Sequence, residues 1–366
     1  MSIASHSTAP TASETARLGQ RLSPKLPGLL IALVVAAAAT GLGHLVPVVG
    51  GPVFGIILGA VAAALVPALR AASLSAGYGI AGKQVLQISI VVLGTGLSLQ
   101  EVGRVGLESL PVMLGTLAVA LGGAWLLGRA LDVRGDTQLL IGVGTGICGA
   151  SAIAATTAAV GAAKEKVAYA IGTIFTFNVA AVLLFPPLGH LMGLSAHSFG
   201  LWSGTAINDT SSVVAASFAY GHDAGNYGIV VKLTRTLMLI PIVIVLVLWR
   251  ARRQRLAAAS TRTPAGADSG AGGSARLPWR RIVPAFLVGF VLAAALDTVG
   301  VIPDGWHPGL SMLGTFLITT ALAGIGLSMR LDEVRKAGHR PLLLGGLLWV
   351  AVGLTSLGLQ WLTGQL

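Results

Sequence analysis

Charge is what this chain has least of. Asp, Glu, Lys and Arg make up 10% of its 366 residues, where a soluble domain carries roughly 25%. With so few charges a soluble fold could not cover its own surface. Cysteine is nearly missing as well: Cys148 stands alone, which excludes a disulfide framework and any multi-cysteine metal site. The histidines have no metal-ligand spacing, and no serine–histidine–acid set or paired carboxylate stands out, so neither a metal centre nor an intramembrane hydrolase is expected. No nucleotide-binding motif argues for a primary pump. Gly144-x-Gly146-x-x-Gly149 spells the dinucleotide fingerprint, but that motif needs a βαβ unit in water and nothing here supplies one.

What the chain does have is apolar residues, 54%, with a mean hydropathy of +0.83. It also has 50 glycines, too many for a plain bundle of leucine-rich helices. It reads as an all-α polytopic membrane protein. The net charge of +11 then reads as topology. Eight of the 24 basic residues lie between Arg250 and Arg281 and four more between Arg330 and Arg340, and loops rich in Lys and Arg stay cytoplasmic. Nucleic acid is not an expected partner; a lipid bilayer is.

About eleven hydrophobic segments follow one another, each near the roughly 20 residues that cross a bilayer: 27–49, 53–70, 80–99, 109–131, 137–162, 167–190, 198–220, 226–249, 281–302, 309–329 and 341–363. Residues 1–26 read as a disordered cytoplasmic tail and 251–279 as a disordered cytoplasmic linker. The rest, 27–250 and 280–366, makes one membrane domain. Pro186-Pro187 is expected to end a helix.

Alternating crossings with the N-terminus inside satisfy every loop charge except Lys164-Glu165-Lys166, which falls outside if 137–162 crosses. A second pattern meets that misfit. Segments 137–162 and 198–220 match at an offset of 60: Gly144-Thr145-Gly146-Ile147 with Gly204-Thr205-Ala206-Ile207, Ser151 with Ser211, Ala155 with Ala215. Both are poor helix formers in the middle and should break there. Non-helical backbone at membrane depth is tolerated where it is buried in protein or lines a cavity. If both segments are re-entrant hairpins, every loop obeys the charge rule and the hairpins have opposite orientation. Two continuous, unwound crossing helices remain the other possibility. A weaker echo joins Gly94–Leu99 to Gly324–Met329 at an offset of 230.

Candidate functional residues gather at the breaks. Gly142, Gly144, Gly146 and Gly149 let the backbone open, and a helix restarting near Ala150-Ser151 would aim free N–H groups at an anion. Ser151, Thr156 and Thr157 add hydroxyl donors. Asp209, in Asn208-Asp209-Thr210-Ser211-Ser212, is an ionisable residue inside an apolar segment, which is costly and usually functional. It could bind H⁺ or Na⁺ with Asn208 and hydroxyls around it, or it could cap the helix that begins at Thr210. Lys232 and Arg235, three apart, share a helix face and either snorkel outward or face a central cavity and an anion. Asn178 is isolated in an apolar helix and could hold an ion or a neighbouring helix.

The blocks GVGTGICGASAIAATTAAVGAAKEKVAYAIGTIFTFNVAAVLLFPPLGHLMGLS, FGLWSGTAINDTSSVVAA and VVKLTRTLMLIPI, in order, resemble the YeiH family of conserved bacterial inner-membrane proteins, which are labelled sulfate exporters. The resemblance covers about residues 28–363. It implies kinship with the cation/proton antiporters and bile-acid transporters, and hence an inverted-repeat core with discontinuous helices. The expectation is a secondary transporter of a small anion in the bacterial inner membrane. Thr145, Gly146, Gly149, Ser151, Asn208, Thr210, Ser211, Lys232 and Arg235 would bind substrate, and Asp209 and Asn178 a coupling ion. A sodium/proton antiporter and an uncoupled channel are the alternatives. No cofactor is expected, and a homodimer is left open.

Overall fold

The computed structural model describes residues 25–45, 50–239, 241–242, 244–245, 252, 284–328 and 339–366. The expected tail and linker lie almost wholly outside them. Among the described residues every regular element is a helix, in two compact units: residues 1–89 with 315–329, and residues 90–314 with 330–366.

The first unit holds α1 (Leu26–Leu45), α2 (Gly50–Leu65), most of α3 (Ala72–Gly94) and the latter part of α12 (His307–Ser328). It is held by small residues, as expected where lipid removes the hydrophobic drive between helices. Gly55 and Gly59 form a G-x-x-x-G face on α2. A Cβ on them would lie 2.8 Å from the Thr319 carbonyl oxygen and 2.5 Å from that of Ala323, so side chains there would push α12 away. A π-turn, Ile80–Val85, interrupts α3.

The second unit contains α4 (Leu99–Ala130), α5 (Asp136–Gly146), α6 (Ala150–Val160), α7 (Lys164–Leu191), α8 (Ala196–Ala206), α9 (Thr210–Tyr220), α10 (His222–Leu237), α11 (Ala285–Thr298) and α13 (His339–Leu362). Six helices, α1, α3, α4, α7, α12 and α13, are long and apolar enough to cross a bilayer, against eleven expected segments. The difference has three sources. Segments 53–70 and 281–302 yield helices of 16 and 14 residues. Segment 226–249 runs out of the described residues. Segments 137–162 and 198–220 are each two helices of 11 residues, about 17 Å apiece against a hydrocarbon core of about 30 Å.

Two boundaries move for local reasons. Helix α4 begins at Leu99, ten residues before the expected 109, because Ser98 and Glu101 form a capping box in which Glu101 N donates to Ser98 Oγ at 3.1 Å and Ser98 N to Glu101 Oε2 at 3.4 Å. Helix α7 runs through Pro186-Pro187 to Leu191, so the prolines remove two amide donors near its end without stopping it.

The half-helices fold back on each other. Ser203 Oγ on α8 and Ser217 Oγ on α9 are 2.7 Å apart. Fourteen residues along one straight helix would separate them by about 21 Å, so α8–α9 is a hairpin. For α5–α6, the Cβ position of Gly144 lies 3.0 Å from Ile153 Cδ1. Lys166 at the start of α7 pairs with Asp136 at the start of α5 at 3.1 Å, so the chain re-emerges after α6 at the end from which α5 set out.

The second hairpin is rooted at the other end of α7. The Tyr220 hydroxyl, where α9 finishes, donates to the Leu194 carbonyl. The Tyr220 ring stacks between His190 and Phe199 at centroid distances of 4.2 and 3.9 Å. Helix α7, 28 residues and about 42 Å long, thus separates the two roots. Helix α13 braces both hairpins: its Leu344 and Leu348 share a buried cluster with Leu140 and Ile141 of α5, Trp202 Nε1 of α8 donates to Gly353 O at 3.1 Å, and Thr205 Oγ1 of α8 and Ser356 Oγ are 2.7 Å apart.

Candidate functional site

The two breaks meet. Residues 147–149 join α5 to α6 and residues 207–209 join α8 to α9, and a Cβ on Gly149 would lie 3.2 Å from Asp209 Cβ. The correspondence at an offset of 60 is complete in the helix bounds: 136–146 becomes 196–206, and 150–160 becomes 210–220. Gly149 adopts φ 64°, a conformation that an L side chain resists. It is the N-cap of α6 and supplies no capping side chain.

Asp209 is the N-cap of α9. Its Oδ1 accepts from Ser211 N at 3.0 Å. Its Oδ2 accepts from Ser211 Oγ, Ser212 N and Ser212 Oγ at 2.7, 3.2 and 2.8 Å. The capping geometry is therefore present, with the carboxylate at the meeting point of the tips. Thr210 and Ser211 are half-buried beside it, and Ser151 is exposed on the first turn of α6.

Helix α10 delivers the two cations. Gly200, Gly204 and Gly228 let α8 and α10 approach until a Cβ on Gly200 would stand 3.0 Å from the Ala224 carbonyl. Lys232 and Arg235, both 0% exposed, then reach into the breaks. Lys232 Nζ donates to the carbonyls of Ile147 and Ile207 at 2.9 and 2.8 Å. Arg235 donates through Nε to Gly146 O at 2.8 Å, through Nη2 to Thr145 O at 2.9 Å and through Nη1 to Thr205 O. Ile147 and Ile207 are 60 apart, as are Thr145 and Thr205, so each cation reads equivalent carbonyls on both hairpins.

These carbonyls lie at the C-terminal ends of α5 and α8, where helix dipoles carry negative partial charge. The cations satisfy orphan acceptors that water cannot reach. No ion pair among the described residues joins either cation to Asp209. Donor capacity remains, because lysine has three N–H groups and arginine five, of which two and three are used here.

Among the described residues, several buried polar atoms on these elements have no partner: Thr145 Oγ1, Thr156 Oγ1, Thr157 Oγ1, Asn178 Oδ1 and Asn208 Oδ1. Asn178 sits at the middle of α7, one turn beyond Ile174, whose Cγ2 would touch a Cβ on Gly149 at 3.4 Å. All eleven residues singled out in the sequence therefore lie on the two breaks or on α7 and α10 beside them. The sequence did not single out Ile147, Ile207 and Thr205, which contribute backbone carbonyls, or the Ser203–Ser217 pair. Their offset-60 correspondence was the available signal for the first three.

Away from the tips, near the root of α5, an apolar cavity of about 800 Å³ is lined by Leu121, Trp125, Gln138, Val143 and Ile242 among others. Arg129 stacks over Trp125 at 4.0 Å. Gly142 of α5 lines it, whereas Asp209, Lys232 and Arg235 do not.

A chain of this kind, whose regular elements among the described residues are all helices, with six of bilayer length and two broken hairpins meeting around buried cations, defines a multi-pass membrane protein. Comparison with known proteins agrees and narrows the class. The family model described as Conserved hypothetical protein 698 matches residues 27–345. A UPF0324 membrane protein of Streptococcus pyogenes serotype M3 is 39% identical over 340 residues, covering 92% of this chain and 96% of that protein. One of Fusobacterium nucleatum is 36% identical over 363 residues, covering 94% and 99%, and one of Streptococcus mutans 36% over 348 residues, covering 93% and 98%. The chain belongs to the YeiH/UPF0324 family of membrane proteins.

Proposed function

We propose that this protein is a secondary transporter that moves a small anion across the bacterial inner membrane by alternating access, with its N-terminus in the cytoplasm. The observation that carries the reading is the charge at the hairpin tips. Two helix C-termini and two helix N-termini converge there, and their partial charges, roughly half a unit each and of opposite sign, cancel. What remains is Lys232 and Arg235 against one carboxylate, Asp209. A buried site with a net positive charge and unused donors favours an anion. Ligand sites built from half-helix ends near mid-depth are characteristic of secondary transporters.

In this reading the α5–α6 and α8–α9 hairpins are re-entrant from opposite faces, forming an inverted repeat around the site. That arrangement keeps Lys164 and Lys166 on the cytoplasmic side with the other basic loops. Asp209 and Asn178 take part in coupling to H⁺ or Na⁺. The resemblance to proteins labelled sulfate exporters makes a sulfate-like oxyanion the first substrate to try, in the direction of export.

A second reading, a cation antiporter, has its own support. The unpartnered oxygens of Asn178 and Asn208, with Asp209, are hard acceptors of the kind Na⁺ takes. Flux into proteoliposomes separates the two. Labelled sulfate or sulfite should move, faster with a pH or Na⁺ gradient, and stop in Lys232→Ala. Na⁺/H⁺ exchange without any anion flux, lost in Asp209→Asn, would replace the anion reading with the cation one.

A further inference from the structure

The cavity beside α5 takes no part in the cluster of charges at the tips. Its volume, about 800 Å³, falls within the roughly 300–1,000 Å³ of ligand sites. It follows α5 from Asp136 to Val143, about 10 Å. Its wall is apolar: Leu121 and Trp125 of α4, Leu139 and Val143 of α5, and Ile242 and Val245 beyond α10. Gln138 lines it too, but its Nε2 is tied to the Ala124 and Trp125 carbonyls at 2.9 and 2.8 Å. An inorganic ion would find almost nothing to bond inside. Trp125 and Val245 are 55% and 62% exposed, as lipid-facing side chains are in a membrane protein, so the cavity opens sideways toward lipid.

Charge gathers at one end of it. Asp136, at the start of α5, lines the cavity and is matched by Lys166 at 3.1 Å. Asp132 is matched twice, by Arg134 and Arg340 at 3.4 and 3.5 Å. Lys164 and Glu165, adjacent in the chain, cancel. Arg129 remains. It is exposed, its guanidinium carbon stands 4.0 Å from the centroid of the Trp125 ring, and no ion pair among the described residues engages it. The polar end of the cavity is therefore net positive. A tryptophan one turn from an arginine is the pattern of a membrane interface, with the ring at headgroup level and the cation in the headgroup layer. A guanidinium presents a donor fork that fits two oxygens of a phosphate.

We propose that this cavity binds an anionic phospholipid. One acyl chain fills the apolar interior, and the phosphodiester oxygens accept from the Arg129 guanidinium. Basic pockets between membrane helices hold anionic headgroups, and here an adjoining cavity takes the tail. A phospholipid carries both things the site asks for, an anion and a long apolar chain, and meets it at the right depth. A zwitterionic lipid brings its own cation to the phosphate and gains less from Arg129. The site holds whether or not the chain transports an anion.

Tryptophan quenching tests it. The full-length chain sits in phosphatidylcholine nanodiscs, with phosphatidylglycerol or phosphatidylcholine brominated on the acyl chains as probe. The difference between the wild type and Trp125→Phe isolates the emission of Trp125. Trp361→Phe does the same for Trp361, which is 71% exposed and samples bulk lipid about 30 Å along α13 from Arg340. Trp125 should reach half of its quenching at an about fivefold lower mole fraction of phosphatidylglycerol than of phosphatidylcholine, the effect of one basic residue near an anionic headgroup. Trp361 should show no preference. Arg129→Gln should remove the preference at Trp125, Arg129→Lys should keep part of it, and Arg104→Gln, about 38 Å away along α4, should leave it unchanged. Arg104 and Arg129 are exposed, so these variants should fold, which monodisperse size-exclusion profiles check. Native mass spectrometry should retain one phosphatidylglycerol on the wild type and none on Arg129→Gln.

Equal quenching of Trp125 by the two lipids, an equal preference at Trp361, or a preference that survives in folded Arg129→Gln each overturns the proposal. Displacement of the lipid by inorganic phosphate at constant ionic strength would make this an ion site instead. Lipid binding that appears only after deletion of residues 253–280 would make that segment of the chain the occupant, and overturns the proposal as well.

Discussion

Arg235→Lys isolates donor geometry from charge. Both side chains are cations, so the cost of burying a charge and its attraction to the α5 and α8 C-termini cancel to first order. What changes is the number of nitrogen atoms. Arg235 places three nitrogens on three carbonyls, two on α5 (Thr145 and Gly146) and one on α8 (Thr205). A lysine has one nitrogen on a flexible stem, and an ammonium is more strongly hydrated than a guanidinium. At least one carbonyl is therefore left buried without a partner.

Stripping the partner from a buried acceptor costs about 1–3 kcal/mol. At 1.4 kcal/mol per tenfold, that is roughly a 5- to 150-fold drop in the folded-to-unfolded ratio. Equilibrium unfolding in mixed dodecyl-maltoside and SDS micelles reads it, with Arg104→Lys as the control. Arg104 is an exposed partner of Glu108 with 77% of its side chain accessible, and its substitution should leave the unfolding midpoint where it is. If Arg235→Lys unfolds together with the control, Arg235 is not a clamp between the hairpins. Lost sulfate flux at unchanged stability would then assign it to the ligand alone.

Other expectations follow from the same geometry. In a Cys148→Ala background, Arg134→Cys and Glu165→Cys should be labelled by impermeant maleimide from one face of the membrane and Met192→Cys from the other; labelling of 165 and 192 from the same face would remove the hairpin arrangement. Gly59→Val puts a Cβ 2.5 Å from the Ala323 carbonyl oxygen and should destabilise the chain by about 1–3 kcal/mol through overpacking, read in the same unfolding assay; an unchanged midpoint would mean that α2 and α12 do not pack closely. Cys148, 6% exposed, should react with a permeant maleimide only as the chain unfolds, so rapid modification of the native protein would show that the α5–α6 tip is open.

Much of this was legible in the sequence, and the reasons differ by feature. Membrane residence follows from composition alone, because scarce charge cannot clothe a soluble surface. The breaks at 147–149 and 207–209 follow from glycine and small polar residues recurring at one offset. The charge misfit at Lys164–Lys166 pointed to a chain that folds back within 137–162, and the Lys166–Asp136 pair sets the start of α7 beside the start of α5. Segment lengths were less legible. Hydropathy marks where a chain is apolar, but it does not separate one long helix from two short ones folded together. The start of α4 was hidden for a related reason: Ser98 and Glu101 signal a helix start through hydrogen bonds, and Glu101 lowers hydropathy where a hydropathy window seeks a span.

The role of Lys232 and Arg235 was the least legible, and the physics explains why. A buried cation demands partners, and a reader of sequence looks for them among side chains: a carboxylate such as Asp209, or an anionic ligand. Here the first partners are five backbone carbonyls, which every residue type carries and no composition reveals. Breaking two helices inside a membrane creates such acceptors in pairs, at equivalent positions if the breaks are equivalent. A cation on a third helix at the midline between them is a compact way to satisfy both sets. Lys232 and Arg235 are therefore structural to the breaks before they are anything to a ligand. An anion at the tips would meet their remaining donors without displacing them from the carbonyls. Arg235→Lys should therefore lower stability through lost carbonyl contacts with or without an anion present.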